Sequence, residues 1–269
     1  MPWTNKHLEW LIETGESIVT ACGKNVPVYE FRYDMANNEV MSGWARHFRN
    51  HYCLDTDLPQ LKSPEQTNSE YLLLKFPDRT GAGPSIRAGD FSEILIADYL
   101  HFLRDYYVPR TRYDRKIIGN ESSKGSDVIG FKRISEEPNR NDELLVYEVK
   151  AKLSENQPIN VLQDAIGHSS KDQVRLADSL NAIKQRLYDQ CDTSGMEVVS
   201  RFQRNIDAPY KMSFGAAAVI TETSYCSETL AESNSGDHVA QGELEMIVIK
   251  GESLMLLVHH LYERAANEA

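Results

Sequence analysis

The stretch Leu144 to Lys152, LLVYEVKAK, constrains the fold more than any other, because it begins as an apolar strand and ends in charge. On a strand, alternate side chains share a face, so Val146, Glu148, Lys150 and Lys152 point one way and Leu145, Tyr147, Val149 and Ala151 the other. The second face is a core face. The first starts apolar and then presents a carboxylate and an ammonium two residues apart, as either a half-exposed strand end or the rim of a site does.

A chain of 269 residues fits one large α/β domain, or a core with an accessory region, and can bury a substantial interior. With 41% hydrophobic and 26% charged residues, wholesale disorder is excluded. No run approaches the ~20 apolar residues that span a bilayer. The N-terminus, MPWTNKHLEWLIETG, lacks the basic start and apolar run of a secretory signal, so a cytoplasmic protein is expected. Cys22, Cys53, Cys191 and Cys226 are scattered and read as reduced structural thiols. The histidines, with His259 and His260 adjacent and His101 and His168 alone, are expected to offer no His-x-x-x-His metal pair and read as structural or surface residues.

The net charge of −11 argues against coating DNA by bulk attraction. Between Arg110 and Arg133, however, seven basic residues face three acidic ones, a local +4. Such a strip suits either a phosphate backbone or a solvated loop.

Along the chain, residues 1 to about 75 read as helix, strand (VPVYEFRY) and helix (EVMSGWARHFRNHYC), followed by a polar stretch and EYLLLKF. DRTGAGPSIRAGD reads as a loop, and without a Lys-Ser/Thr ending it is no phosphate-binding P-loop. FSEILIADYLHFLRDYY is apolar on almost every side, the pattern of a buried helix. Glu93 lies near its start, in line with Ile96, Ala97 and Leu100, so its carboxylate either caps the helix or serves a site. VPRTRYDRK is expected to be a strand. Asp127 heads the short strand Val128 to Phe131, 21 residues before Glu148, a hairpin distance.

One or two helices are predicted from Val161 to about Gln190, with Val174, Ala177, Leu180, Ile183 and Leu187 as core positions. MSFGAAAVIT and LEMIVIKG read as further strands, and SLMLLVHHLYERAANE as a terminal helix. The division expected is an accessory α/β region over 1–80, which can equally pack with the core, and a core over 81–269.

An inward Glu on a buried helix, an Asp heading one strand and Glu-x-Lys ending the next resemble, in that order, the PD-(D/E)xK nuclease core. Ser126-Asp127 stands where that family has Pro-Asp. The resemblance implies a restriction-endonuclease-like fold, a mixed central sheet flanked by helices. It also implies catalytic roles for Glu93, Asp127, Glu148 and Lys150. Mg²⁺ or Mn²⁺ would be held by Glu93, Asp127, Glu148 and the Val149 carbonyl, matching the hard oxygen ligands such ions select. Lys152, Lys124, Arg112, Arg115 and Gln163 are weaker candidates for touching nucleic acid.

More closely, GDFSEILIADYL, RYDRK, SSKGSDVIGFK and LLVYEVKAK in succession resemble the nuclease subunit of the Hachiman anti-phage defence system. That resemblance implies a bacterial DNA nuclease restrained until a partner superfamily 2 helicase senses aberrant or invading DNA. An inactive structural subunit of the helicase complex, and a stand-alone restriction endonuclease, are the alternatives the fold allows.

Overall fold

A computed structural model describes residues 3–114, 116–154, 157–240 and 243–269. Its strands are β1 (Leu11–Val19), β2 (Asn25–Phe31), β3 (Val128–Lys132), β4 (Glu143–Lys152), β5 (Lys211–Thr221) and β6 (Glu245–Gly251). The α-helices are α1 (Asn38–Asn50), α2 (Leu58–Leu61), α3 (Asn68–Lys75), α4 (Gly83–Asp98), α5 (Val161–Ser169), α6 (Asp172–Asp189), α7 (Thr193–Phe202), α8 (Ser227–Ala231) and α9 (Leu254–Asn267). All six strands join one sheet in the order β1-β2-β6-β5-β4-β3.

Neighbours are parallel from β2 through β6 and β5 to β4, while β1 and β3 close the two edges antiparallel. This is the mixed α/β architecture expected. Parallel strands are covered on both faces, so they carry near-continuous apolar runs. The stretch Phe214 to Ile220 of β5 does so, and nearly all of it is buried. On one face, Leu145, Tyr147, Val149, Ala217 and Ile249 pack with α1, α4 and α9. On the other, Leu144, Val146, Ala216, Ala218 and Val248 pack with α5, α6 and α7. Both faces of β4 are therefore core up to Glu148.

Residues before position 80 supply β1 and β2 to this same sheet. Leu8, Trp44 and Phe76 share a hydrophobic cluster with Val149 and Ala217.

Several local expectations need correction. The N-terminal helix is only a short 3-10 turn (Lys6–Trp10) before β1, where Glu13, Thr14 and Gly15 occupy an exposed edge. The loop expected over 78–90 ends early, because α4 starts at Gly83. Pro84 lies in its first turn, where its missing N–H is no loss. Near VPRTRYDRK the described pairing is a single bridge, Tyr107 to Phe131. The expected 161–190 helices divide into α5 and α6, and Val174, 85% exposed, and Ala177, also exposed, are not core, while Leu176 is buried.

Candidate active site

The β3–β4 hairpin builds the centre of the site. Val128 pairs with Tyr147, which sets Asp127, one residue before β3, opposite Glu148. The backbone N–H of Val149 donates to Asp127 Oδ2 at 2.9 Å and fixes that carboxylate at the strand end. Glu93 arrives from α4, the helix packed against β4 on the opposite sheet face from Glu148. Its carboxylate takes hydrogen bonds from Arg112 Nε and the Tyr113 hydroxyl. Lys150 donates from Nζ to Glu148 Oε1, and His168 Nδ1 of α5 lies 3.4 Å from the same oxygen.

Arg112 ties this group together. Nε donates to Glu93, Nη2 to Asp127 Oδ1 at 2.7 Å, and Nη1 to the Ser126 carbonyl. One guanidinium thus bridges carboxylates from α4 and from the head of β3. Burial works against its charge, but Glu93 and Asp127 outweigh that and raise its pKa.

The carboxylates themselves are under electrostatic pressure. Burial pushes Glu93 up to about 8, with Arg112 opposing the rise and Asp127 adding to it. Glu148 is raised by burial and by Asp127, against the pull of Lys150. Asp172, the first residue of α6, is fully buried, and the Ser126 hydroxyl comes near enough to ease its charge without forming a well-aligned hydrogen bond to either carboxylate oxygen. Burial and the Glu148 charge lift it to about 6. Four acids are therefore crowded around Arg112 and Lys150, with Lys124 and Arg175 on the same cleft, and the upward shifts of Glu93, Glu148 and Asp172 register a mutual repulsion that a divalent ion would relieve. Hard carboxylate oxygens of this kind fit Mg²⁺ or Mn²⁺.

A cleft of about 540 Å³ opens over these groups, lined by Glu93, Arg112, Lys124, Asp127, Glu148, Lys150 and Arg175. A second cavity of about 390 Å³ lies behind the Lys124 to Asp127 segment, between α4 and α6.

The structure thus brings Glu93, Asp127, Glu148, Lys150, Arg112 and Lys124 into one place, with Val149 touching it through its N–H. Lys152 lies on the same strand face, farther along β4. Gln163 stands apart, its side-chain amide paired with the backbone of Asn234. Arg115 lies outside the described residues. Asp172, Tyr113 and Arg175 were not among the residues expected at the site, and His168 was expected to be structural or on the surface.

Three of the seven cations of the basic strip are spent in internal ion pairs. Arg110 pairs with buried Asp98 at 2.6 Å, Arg112 bridges Glu93 and Asp127, and buried Lys116 pairs with Asp90 at 2.6 Å.

Asp98 anchors a second cluster. His7 and His47 each place Nε2 3.0 Å from its Oδ2, and His47 and His51 share one face of α1 at i, i+4 spacing. His47 and His51 form a His-x-x-x-His pair, which corrects the expectation that the sequence contains none. His47, His51 and Asp98 hold their ligand atoms within 4.8 Å of one another. Yet the backbone N–H of Thr4 donates to His47 Nδ1 at 3.1 Å, so neutral His47 carries its proton on Nε2 and has no lone pair there for a metal. Arg110 already supplies the opposing charge. Burial alone would raise Asp98, but His47, Arg110 and His7 hold it well below the carboxylate range. We read this cluster as a buried hydrogen-bonded brace.

Fold and site define a mixed α/β protein with an acid- and lysine-bearing centre where an edge hairpin leaves the core. The HamA family model matches residues 5–265, and the chain belongs to that family, which ties it to Hachiman anti-phage defence. No curated protein matches the sequence.

Proposed function

We propose that this chain is a metal-dependent DNA nuclease, the restrained subunit of a defence complex whose superfamily 2 helicase delivers DNA to it. The observation that carries the reading is the convergence of Glu93, Asp127 and Glu148 with Lys150, drawn from one helix and one hairpin, with carboxyls raised by burial and by one another in a way that a divalent cation would relieve.

Glu93, Asp127 and Glu148 would hold Mg²⁺ or Mn²⁺, which when bound neutralises the phosphodiester and lowers the pKa of water. Lys150, on the same strand face as Glu148, is placed to orient the attacking water and to stabilise charge that develops on the phosphate. Lys124 and Arg175 line the cleft and suit the flanking backbone. The rest of the surface is acidic in sum and supplies little affinity for DNA, which supports dependence on a partner.

The test is degradation of linear and supercoiled DNA with Mg²⁺, by wild type and by Glu148→Gln/Lys150→Ala, each with and without the helicase and ATP. Helicase-dependent loss of DNA is expected from wild type only, with the double variant reduced by about 10³-fold or more. Absence of cleavage under every condition, with the complex intact, would leave a structural subunit. Discrete fragments without the helicase would mark a restriction enzyme.

A further inference from the structure

We propose that Arg112 is an exchangeable counter-ion. It holds Glu93 and Asp127 together in the metal-free, DNA-free chain, and it passes to a DNA phosphate when a divalent cation takes its place. This rests on the nuclease reading above and concerns how that same site is kept idle.

The guanidinium stands where a shared ion would stand. It bonds one oxygen of Glu93 and one of Asp127, the two carboxylates that come from different elements, and Glu148 is meanwhile matched by Lys150. Every acid proposed as a metal ligand thus already has an internal cation. A divalent ion must displace the Arg112 contacts to reach Glu93 and Asp127 together, and buried Arg–carboxylate bonds are strong and charge-assisted.

Arg112 also has somewhere to go. It lines the cleft that Lys124, Lys150 and Arg175 share, and its side chain is 15% exposed. A planar guanidinium binds phosphate in the same fork geometry that it uses for carboxylate. A phosphodiester entering the cleft therefore offers a replacement acceptor. Metal and DNA then favour one another, because each relieves the cost that Arg112 imposes on the other, and linkage makes the effect reciprocal.

The opposing possibility is that Arg112 is a buttress that holds the two carboxylates in metal-binding position. The two roles predict opposite signs. Binding of Mn²⁺ to the full-length chain is measured by calorimetry and by electron paramagnetic resonance, without nucleotide or partner, for wild type, Arg112→Gln and Arg112→Met. Circular dichroism confirms the fold of each.

The counter-ion role predicts that both variants bind Mn²⁺ at least about tenfold more tightly than wild type. It also predicts that a single-stranded phosphorothioate oligonucleotide tightens Mn²⁺ binding to wild type but not to Arg112→Gln. Unchanged or weaker binding in both folded variants overturns it, as does oligonucleotide coupling that survives in Arg112→Gln. If one variant fails to fold, the other decides. Glu148→Gln, added to wild type and to Arg112→Gln, separates the two levels. Mn²⁺ binding that ignores Glu148 would sink the nuclease site itself, whereas binding that needs Glu148 but not the removal of Arg112 sinks only the counter-ion role.

Discussion

Asp172 shows what a single buried charge does to this protein. Its carboxyl is lifted to about 6, by burial first and then by Glu148, from an ordinary value of 3.8. A carboxyl whose folded pKa exceeds its unfolded value binds more protons in the native state over that interval. Stability contributed by its protonated form is present below pH 4 and is lost as pH rises towards 6. Asp172→Asn keeps the shape and removes the charge. In chelator at pH 7 to 8 it should be more stable than wild type by roughly 1–3 kcal/mol, and equal near pH 4. Urea denaturation across that range checks this. A variant less stable at every pH would mean that Asp172 has a partner worth more than its desolvation costs.

The same residue marks the limit of what the sequence made legible. Glu93, Asp127, Glu148 and Lys150 could be picked out because each breaks a local pattern, an acid in an apolar helix stripe or charge at the end of an apolar strand. Asp172 breaks none, since an acid in the first turn of a helix is ordinary. Arg112 was visible only as one cation in a run, and its two carboxylate acceptors lie 19 and 15 residues away along the chain. Charge counted along a chain cannot see acids contributed by a distant helix, which is why the basic strip looked like surface.

At the scale of elements, the hairpin that sets Asp127 against Glu148 depends on how β4 sits on β5. Tyr147 pairs with Gly215, and a Cβ on Gly215 would stand 2.4 Å from the tyrosine ring. The glycine is there for space. Gly215→Ala should push the fully buried Tyr147 ring and with it the strand one residue from Glu148. The expected cost is about 1–3 kcal/mol. Thermal unfolding together with Mn²⁺ affinity tests this, and both should fall. Stability that falls while metal affinity holds would mean that β4 yields without moving Glu148. Strands β4, β5 and β6 and helices α4 and α9 were legible from their apolar runs. The edge strand β1 was not, because LIETGESIV exposes polar residues and carries a register shift between Glu13 and Ser17.

For the whole molecule, the N-terminal segment and the C-terminal helix close on one another. β2 pairs with β6, α1 packs against α9, and Arg264 donates to Asn38 and Ser42. Removing residues 1–31 would strip β1 and β2 from the sheet, leave β6 as a bare parallel edge and uncover the cluster around Trp44 by taking away Leu8, Leu11 and Phe31. The truncated chain should be insoluble or aggregated, as size-exclusion chromatography will show. A folded, monomeric product would mean that the remaining sheet is self-sufficient. No helix among the described residues is long and apolar enough to cross a membrane.

The pairing of β2 with β6 bears on how the protein is made. A ribosome that has just released β2 must still add more than two hundred residues before its partner strand emerges. At ordinary synthesis rates that is roughly 10 to 40 seconds, during which the first third of the sheet has no neighbour on its inner side. The nascent chain therefore has to wait, open to chaperones, and the sheet that carries the acidic centre is completed only once β6 has emerged.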